Sequence, residues 1–207
     1  MDRKAHWERI YREKSPLEVS WYQADPTLSL SLIEAAGCPR SAEIIDVGGG
    51  ASRLVDRLLD AGYRHPAVLD LAGAALEHAR QRLGDRAEAV EWFEADATTF
   101  APPHRFDVWH DRAVFHFLTE ADDRRRYRQT LLRTLRPGGH LILAAFAVGG
   151  PDRCSGLEIV QYDAPQILEQ FGDAFDLIET REESHRTPGG MIQRFGYFRL
   201  IRRSAAT

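Results

Sequence analysis

The sequence is poor in cysteine, carries no excess of basic charge and contains no long apolar run. Its 207 residues include two cysteines, Cys38 and Cys154, which are far apart and match no metal-ligand spacing, so a reduced cytosolic setting is expected. Lys and Arg number 27 against 31 Asp and Glu, for a net charge of -4. No global basic field therefore exists to recruit nucleic acid or an anionic membrane. No stretch approaches the roughly 18 consecutive apolar residues of a membrane helix. The N-terminal MDRKAHWERIYREK is charged and lacks the apolar run of a signal peptide. The expectation is a cytoplasmic protein, monomer or homodimer. There is no Pro/Gly/Ser-rich linker, internal repeat or low-complexity tract, so residues 1–207 are read as a single domain.

What is present centres on Ala42–Ser52, AEIIDVGGGAS. A short apolar run carrying Asp46 meets Gly48, Gly49 and Gly50, and the helical spacing of Leu54, Val55, Leu58 and Leu59 follows. Such a strand–turn–helix lets backbone approach a nucleotide closely. Upstream, Trp7, Ile10 and Tyr11 form one stripe on a charged helix over 3–14. Asp25-Pro26 is read as an N-cap with Pro at the first helical position, opening a helix that Gly37 closes.

Downstream, Ala67–Asp70, Val90–Phe93 and Phe106–Trp109 read as strands. The first ends in Asp70, the second leads to Asp96, and the third runs into His110-Asp111-Arg112. Thr119 with Asp122 resembles a capping box for a polar helix ending at Pro137-Gly138-Gly139. Leu141–Phe146 is apolar throughout, as a parallel strand covered on both faces should be. Residues 149–156 read as a loop, Asp163 and Pro165 open a short helix, and Phe175–Glu182 and Met191–Ile201 read as antiparallel neighbours. Alternating strands and helices with a terminal hairpin give a three-layer α/β/α fold whose ligands bind at the carboxyl ends of the strands.

Asp46-Val47-Gly48-Gly49-Gly50-Ala51-Ser52, Asp70 and Asp96 together resemble the class I S-adenosylmethionine-dependent methyltransferases, over nearly the whole chain. The turn LRPGGHLIL and the closing hairpin fit that family as well. Within it, HWERIYREK…WYQ, HDRAVFHFL and QILEQFGDAFDLIETREESHR are similar to the thiopurine and thiol methyltransferase group, and the N-terminal pattern also resembles the lysine methyltransferases that act on elongation factors. The resemblance implies a Rossmann-like sandwich with a mostly parallel seven-stranded sheet, over residues 41–207, under an N-terminal helical lid, residues 1–40. It implies S-adenosylmethionine as methyl donor and S-adenosylhomocysteine as product. Asp46, Gly48, Gly49 and Gly50 would then lie at the methionine end and Asp70 at the ribose, with Ser52 also counted among the cofactor-binding residues. Asp96, Leu71 and Ala97 would meet the adenine, with Trp21 and Tyr22 in the lid.

His110, Asp111, Arg112 and His116 are expected at the acceptor rim. His110, Asp111 and His116 are the candidates to remove a proton, and His110 also counts among the cofactor-binding residues. For His116 the alternative is a ring turned to solvent on a short packed helix. A thiol acceptor would need no base, because the sulfonium already activates the methyl and positioning dominates. The acceptor is read as a small molecule with a sulfur or nitrogen nucleophile, the alternative being a protein lysine. A nicotinamide-dependent oxidoreductase would require glycine at position 53, where Arg53 stands. A non-catalytic cofactor-binding protein is the remaining rival. Arg124, Arg125, Arg126 and Arg128 share a polar helix with Asp122 and Asp123 and are read as a solvated face, so no nucleic-acid partner is expected. No metal site is expected, and Cys154 is read as a small apolar residue.

Overall fold

The computed structural model describes residues 2–204. In chain order the elements are α1 (Arg3–Glu13), α2 (Thr27–Ala35), β1 (Glu43–Val47), α3 (Leu54–Asp60), β2 (His65–Asp70), α4 (Gly73–Leu83), β3 (Glu91–Glu94) and β4 (Phe106–Arg112). They continue as α5 (Ala121–Thr134), β5 (Leu135–Phe146), the short β6 (Arg153–Cys154) and β7 (Leu157–Glu158), α6 (Ala164–Phe171), β8 (Phe175–Arg186) and β9 (Ile192–Arg202). One seven-stranded sheet has the order β3-β2-β1-β4-β5-β9-β8. The β3-β2-β1-β4-β5 portion is parallel, and β9 runs antiparallel to both β5 and β8. Strand order reverses between β1 and β4, which opens a crevice at the carboxyl ends of those two strands.

Apolar residues on the two faces of the sheet build two main cores. On the α5/α6 side, Trp109, Phe115, Tyr127, Phe171 and Phe175 pack together. On the α2/α3 side, Ile33, Ile44, Leu54, Phe146 and Phe195 do the same. Burial of each such side chain contributes about 1.5–3 kcal/mol relative to exposure. Because both faces are covered, β5 is apolar from Leu141 to Phe146 without alternation, as its sequence implied.

Several local expectations are corrected. Asp25 does not cap α2; its carboxylate accepts from Arg57 Nε and Nη2 at 3.1 and 2.7 Å, and Pro26 takes the N-cap position with no side-chain bond. The Thr119/Asp122 capping box is absent. Glu120 is the N-cap of α5 without a side-chain bond, and Asp122 accepts from Arg125 Nη1 at 2.7 Å instead. Pro137-Gly138-Gly139 falls inside β5, where Gly138 has φ of 78° and the pairing register against β4 shifts between Phe106 and Val108. A 3₁₀ segment covers Gly84–Ala89, and the 149–156 loop contains β6, which pairs with β7 across Ser155-Gly156 at positive φ. The Asp163 cap of α6 stands as read: its side chain accepts from Gln166 N at 2.9 Å, and Gln166 accepts from Asp163 N in a reciprocal capping box.

Candidate active site

The turn after β1 is tight because its neighbours leave no room for side chains. A Cβ on Gly48 would lie 2.0 Å from Val114 Cγ2, and one on Gly50 would lie 2.4 Å from Asp70 Oδ2 and 2.8 Å from Ala75 Cβ. Gly48 also has φ of 68°, a conformation that L side chains rarely adopt. A Cβ on Gly49 would lie 2.5 Å from Asp46 Oδ2, so the glycines are pressed against the two strand-end carboxylates.

Those carboxylates sit in different environments. Asp46 is 3% exposed; its Oδ1 is 2.7 Å from His110 Nδ1, while its buried Oδ2 has no hydrogen-bond partner. Asp70 Oδ1 accepts from Ala72 N at 2.9 Å, and burial, reinforced by the charge of Asp46, pushes the pKa of Asp70 up to about 7. Asp96 is half-buried and accepts from Thr98 N and Oγ1, both at 2.7 Å. Ser52 is occupied locally, its Oγ accepting from Leu54 N at 3.1 Å at the start of α3.

Two adjoining cavities open along these residues. The larger, about 820 Å³ with its mouth included, is walled by Asp70, Leu71, Asp96, Ala97 and Val114 below and by Trp7, Tyr11 and Trp21 above. The smaller, about 530 Å³, reaches Asp46, Gly49, Ser52, Ser29 and His110 under the segment from Pro16 to Pro26. Gly48, Tyr11, Trp21 and Arg112 border both. Of the residues expected to hold a nucleotide-like ligand, all but Gly50 line these two adjoining cavities; Gly50 packs behind them against Asp70 and Ala75.

The acceptor-rim residues divide. Strand β4 runs on to Arg112 instead of stopping at Trp109, and its alternation decides which face each residue takes. His110 pairs in register with Asp46 and faces α2, where its Nε2 lies 2.9 Å from Ser29 Oγ. Arg112, on the same face, donates to Trp21 O at 3.0 Å, to Tyr197 OH at 2.9 Å and to Glu183 Oε2 at 3.3 Å.

Asp111 faces the other way and borders neither cavity. It is fully buried; Oδ1 accepts from Val114 N and Phe115 N at 3.0 and 3.3 Å, and Oδ2 accepts from Tyr127 OH at 2.6 Å. Burial pushes its pKa up to about 6 against those three donors. Its structural role is to cap the 115–117 turn. His116 is corrected on both of its readings, since it is neither at the rim nor in solvent. It is fully buried between Phe117 and Phe146, and burial and Arg112 hold its pKa down to about 3.

The roof was less visible in the sequence. Trp7, Tyr11, Arg3, Phe117 and Cys154 all border the larger cavity, and none of them is marked as a ligand contact by the sequence; Arg112, expected at the acceptor rim, borders it too. The Trp7/Tyr11 stripe on α1 was the available signal. Trp21 meets Trp7 edge-on at 5.6 Å and donates from Nε1 to Tyr11 OH at 3.2 Å; Tyr22 borders the smaller cavity. The segment is held from behind by His185, whose Nε2 lies 2.8 Å from Ser20 O, and by Gln23, which donates to Glu183 Oε1 at 2.8 Å. Burial pushes the Cys154 thiol up to about 11, leaving it a poor nucleophile. The α5 arginines are engaged locally: Arg125 with Asp122, Arg126 with Asp123, Arg128 with Asp173 and Arg124 with the Leu118 carbonyl.

Among the described residues no group of three or more His, Cys, Asp or Glu could hold a metal ion, and no helix is long and apolar enough to cross a membrane.

Comparison with known proteins agrees with this geometry. Residues 44–139 match the methyltransferase domain family, a span covering the glycine turn, Asp70, Asp96 and β4. The eEF1A lysine and N-terminal methyltransferase of Danio rerio is 27% identical over 119 residues, 57% of this chain and 17% of that protein. The chain aligns with less than half the length of the curated relatives it matches. Among solved structures, N-methyltransferase NodS from Bradyrhizobium japonicum, in complex with S-adenosylhomocysteine, superposes with a TM-score of 0.74 at 16% identity. That match covers 97% of this chain and 98% of NodS. A structure described under the conversion of a disulfide bond into a thioacetal group during echinomycin biosynthesis superposes with a TM-score of 0.79 at 19% identity, covering 99% of this chain and 94% of that one. The strand order and the matched methyltransferase domain over residues 44–139 give the chain the Rossmann-like fold of the class I S-adenosylmethionine-dependent methyltransferases it resembles.

Proposed function

We propose that the protein transfers a methyl group from S-adenosylmethionine, in line, to a sulfur or nitrogen nucleophile of a small-molecule acceptor. The observation that carries this reading is the convergence of Asp46, Asp70 and Asp96 with Gly48 and Gly49 on two adjoining cavities that share a wall. The residues present fit the donor. Asp46 Oδ2 is a buried acceptor with no partner, suited to a cationic amino-acid end. Asp70 Oδ2 faces the glycine turn, where it can accept from ribose hydroxyls, and Asp96 with Leu71, Ala97 and Val114 forms a half-polar slot for an adenine. When bound, the donor supplies a methyl group already activated by a positively charged sulfur.

The chain's own residues then have two tasks. The first is to hold the two reactants end to end, which is worth roughly 7–11 kcal/mol of the barrier. The second is to keep water out, for which Trp7, Tyr11 and Trp21 form an aromatic cover. With Asp111 and His116 turned into the core, His110 is the one candidate base of the original three that borders the cavities. General base catalysis adds about 10²–10⁴-fold where an acceptor must lose a proton. Transfer to a protein lysine is the second reading, favoured by the similarity to the eEF1A methyltransferase. The cover of α1 and the 16–26 segment over the cavity favours a small acceptor.

The test is calorimetry with S-adenosylhomocysteine and NAD(P), followed by transfer of radiolabelled methyl to a panel of thiols, amines and whole-cell protein. Binding of S-adenosylhomocysteine alone and label in small-molecule products is expected. Binding of NAD(P) without S-adenosylhomocysteine would overturn the donor assignment. Label confined to protein would overturn the acceptor assignment.

A further inference from the structure

Three buried side chains from three separate elements form an unbroken hydrogen-bonded line beside the smaller cavity. Asp46 on β1 meets His110 on β4 at 2.7 Å through Oδ1 and Nδ1, and His110 Nε2 meets Ser29 Oγ on α2 at 2.9 Å. None of the three is more than 3% exposed. Ser29 is the third residue of α2 and is buried at the wall of the smaller cavity. A buried hydroxyl in that position costs free energy unless it is hydrogen-bonded, so its partner matters.

The line has a direction. A carboxylate only accepts, so the Nδ1 facing Asp46 carries the proton; in the neutral ring Nε2 is then bare, and the Ser29 hydroxyl donates to it. Donation by Ser29 thus favours the tautomer in which His110 donates to Asp46 Oδ1. That bond fixes the rotation of the Asp46 carboxyl and leaves Oδ2, the oxygen without a partner, against the glycine turn at the cavity. Without the hydroxyl, Nε2 becomes an unsatisfied buried acceptor. The ring can then turn over, putting Cδ2 where Nδ1 stood and removing the hydrogen bond that holds the carboxylate.

We propose that Ser29 is a positioning residue for the amino-acid end of the donor, acting through His110 to aim Asp46 Oδ2 at a cationic group. The proposal rests on reading the cavity as the donor pocket. Ser29 makes no contact with the reacting atoms, and its effect is selective for ligands that carry an α-ammonium. That selectivity separates positioning from a general role in packing α2. Ser29→Thr keeps the hydroxyl on the same Cβ and should keep the line.

The experiment measures binding of two probes, S-adenosylhomocysteine and 5′-methylthioadenosine, which share the adenosine thioether but differ in the amino-acid end. Wild type, Ser29→Ala and Ser29→Thr are compared, with folding monitored by circular dichroism. Ser29→Ala should weaken S-adenosylhomocysteine about tenfold, the loss expected when a buried hydrogen-bonded network is broken. It should leave 5′-methylthioadenosine within about twofold, and Ser29→Thr should restore at least half of the lost affinity, both on the same order-of-magnitude scale. Equal weakening of both probes by Ser29→Ala, or no weakening of either, overturns the positioning role. Wild-type protein that binds neither probe overturns the donor pocket itself, which is a separate failure. If Ser29→Ala does not fold, the Thr variant carries the test: loss of S-adenosylhomocysteine selectivity in a folded, hydroxyl-bearing protein overturns the proposal.

Discussion

At the floor of the cavity, Gly48, Gly49 and Gly50 touch Val114, Asp46 and Asp70 so closely that an added Cβ would overlap an atom in each case. At the roof, α1 and the 16–26 segment are held by side chains reaching across from elsewhere: Lys4 to Glu94, Glu8 to Gly73 N, Arg3 to Asp123 and Arg112 to Trp21 O. The floor owes its shape to backbone and short side chains within one strand–turn–helix and the adjoining strand ends. The roof owes its position to several independent polar contacts, some of them exposed. One substitution should therefore be severe in the floor and tolerated in the roof. A pocket that must bind tightly and still admit a second substrate gains from that division, since the roof can open while the floor keeps its form.

The largest effect is expected at Gly50. In Gly50→Ala the new methyl meets Asp70 Oδ2 at 2.4 Å and Ala75 Cβ at 2.8 Å, and Asp70 is tethered through Ala72 N. Overpacking of this kind costs up to about 3 kcal/mol, or about 100-fold in affinity, if the ligand must restore the original geometry. Calorimetry with S-adenosylhomocysteine measures it directly. An affinity within about threefold of wild type, on the same scale, would break the comparison by showing that the floor yields as easily as the roof.

A second prediction concerns charge in the floor. The Asp70 pKa is raised to about 7, so near neutrality the carboxyl is part protonated in the free protein. If ribose hydroxyls donate to the ionised form, affinity for S-adenosylhomocysteine should rise with pH from 6 to 8, by up to about tenfold per unit below the pKa. Folding stability should run the other way. The native state holds this proton more tightly than the unfolded chain, so the Asp70 contribution to stability falls as pH rises from about 4 to about 7. Asp70→Asn should flatten both profiles, read by calorimetry and by urea unfolding. A binding profile that keeps its slope in Asp70→Asn would assign the titration to another group.

The same division explains what the sequence could disclose. The glycines and the acids Asp46, Asp70 and Asp96 were legible because each is fixed by its distance from a strand end, a local property. Asp111 is hard to place from sequence because the length of β4 decides which face it takes, and His116 because the 115–117 turn that buries it carries no strand or helix period. Carrying β4 three residues further, to Arg112, puts His110 beside Asp46 and turns Asp111 toward Tyr127 on the opposite face. An alternating strand makes that choice residue by residue, and the run HDRAVFHF carries no mark of where pairing stops. Ser29, Glu183 and His185 were invisible for another reason. They act through partners 81, 160 and 165 residues away in the chain, and contacts of that kind follow from topology, not from spacing.

The smallest effect sharpens the comparison from the roof side. Lys4 on α1 reaches Glu94 at the end of β3, but both side chains stay close to half exposed. Water and salt screen such a pair, and holding two long side chains together has an entropic cost, so exposed ion pairs contribute little. Lys4→Ala should change affinity for S-adenosylhomocysteine by about twofold or less, and the difference should vanish in 0.5 M salt, where the Debye length is about 4 Å. The remaining contacts hold the helix meanwhile: Glu8 Oε1 still accepts from Gly73 N at 2.7 Å, and Trp7 still packs edge-on to Phe117 at 5.1 Å. Combining Lys4→Ala with Glu8→Ala, which removes the acceptor for Gly73 N, should therefore lose more than either change alone, because each latch limits the opening that loss of the other allows. A loss of about tenfold or more from Lys4→Ala alone, retained at high salt, would mean that the roof hangs on one contact and is as brittle as the floor.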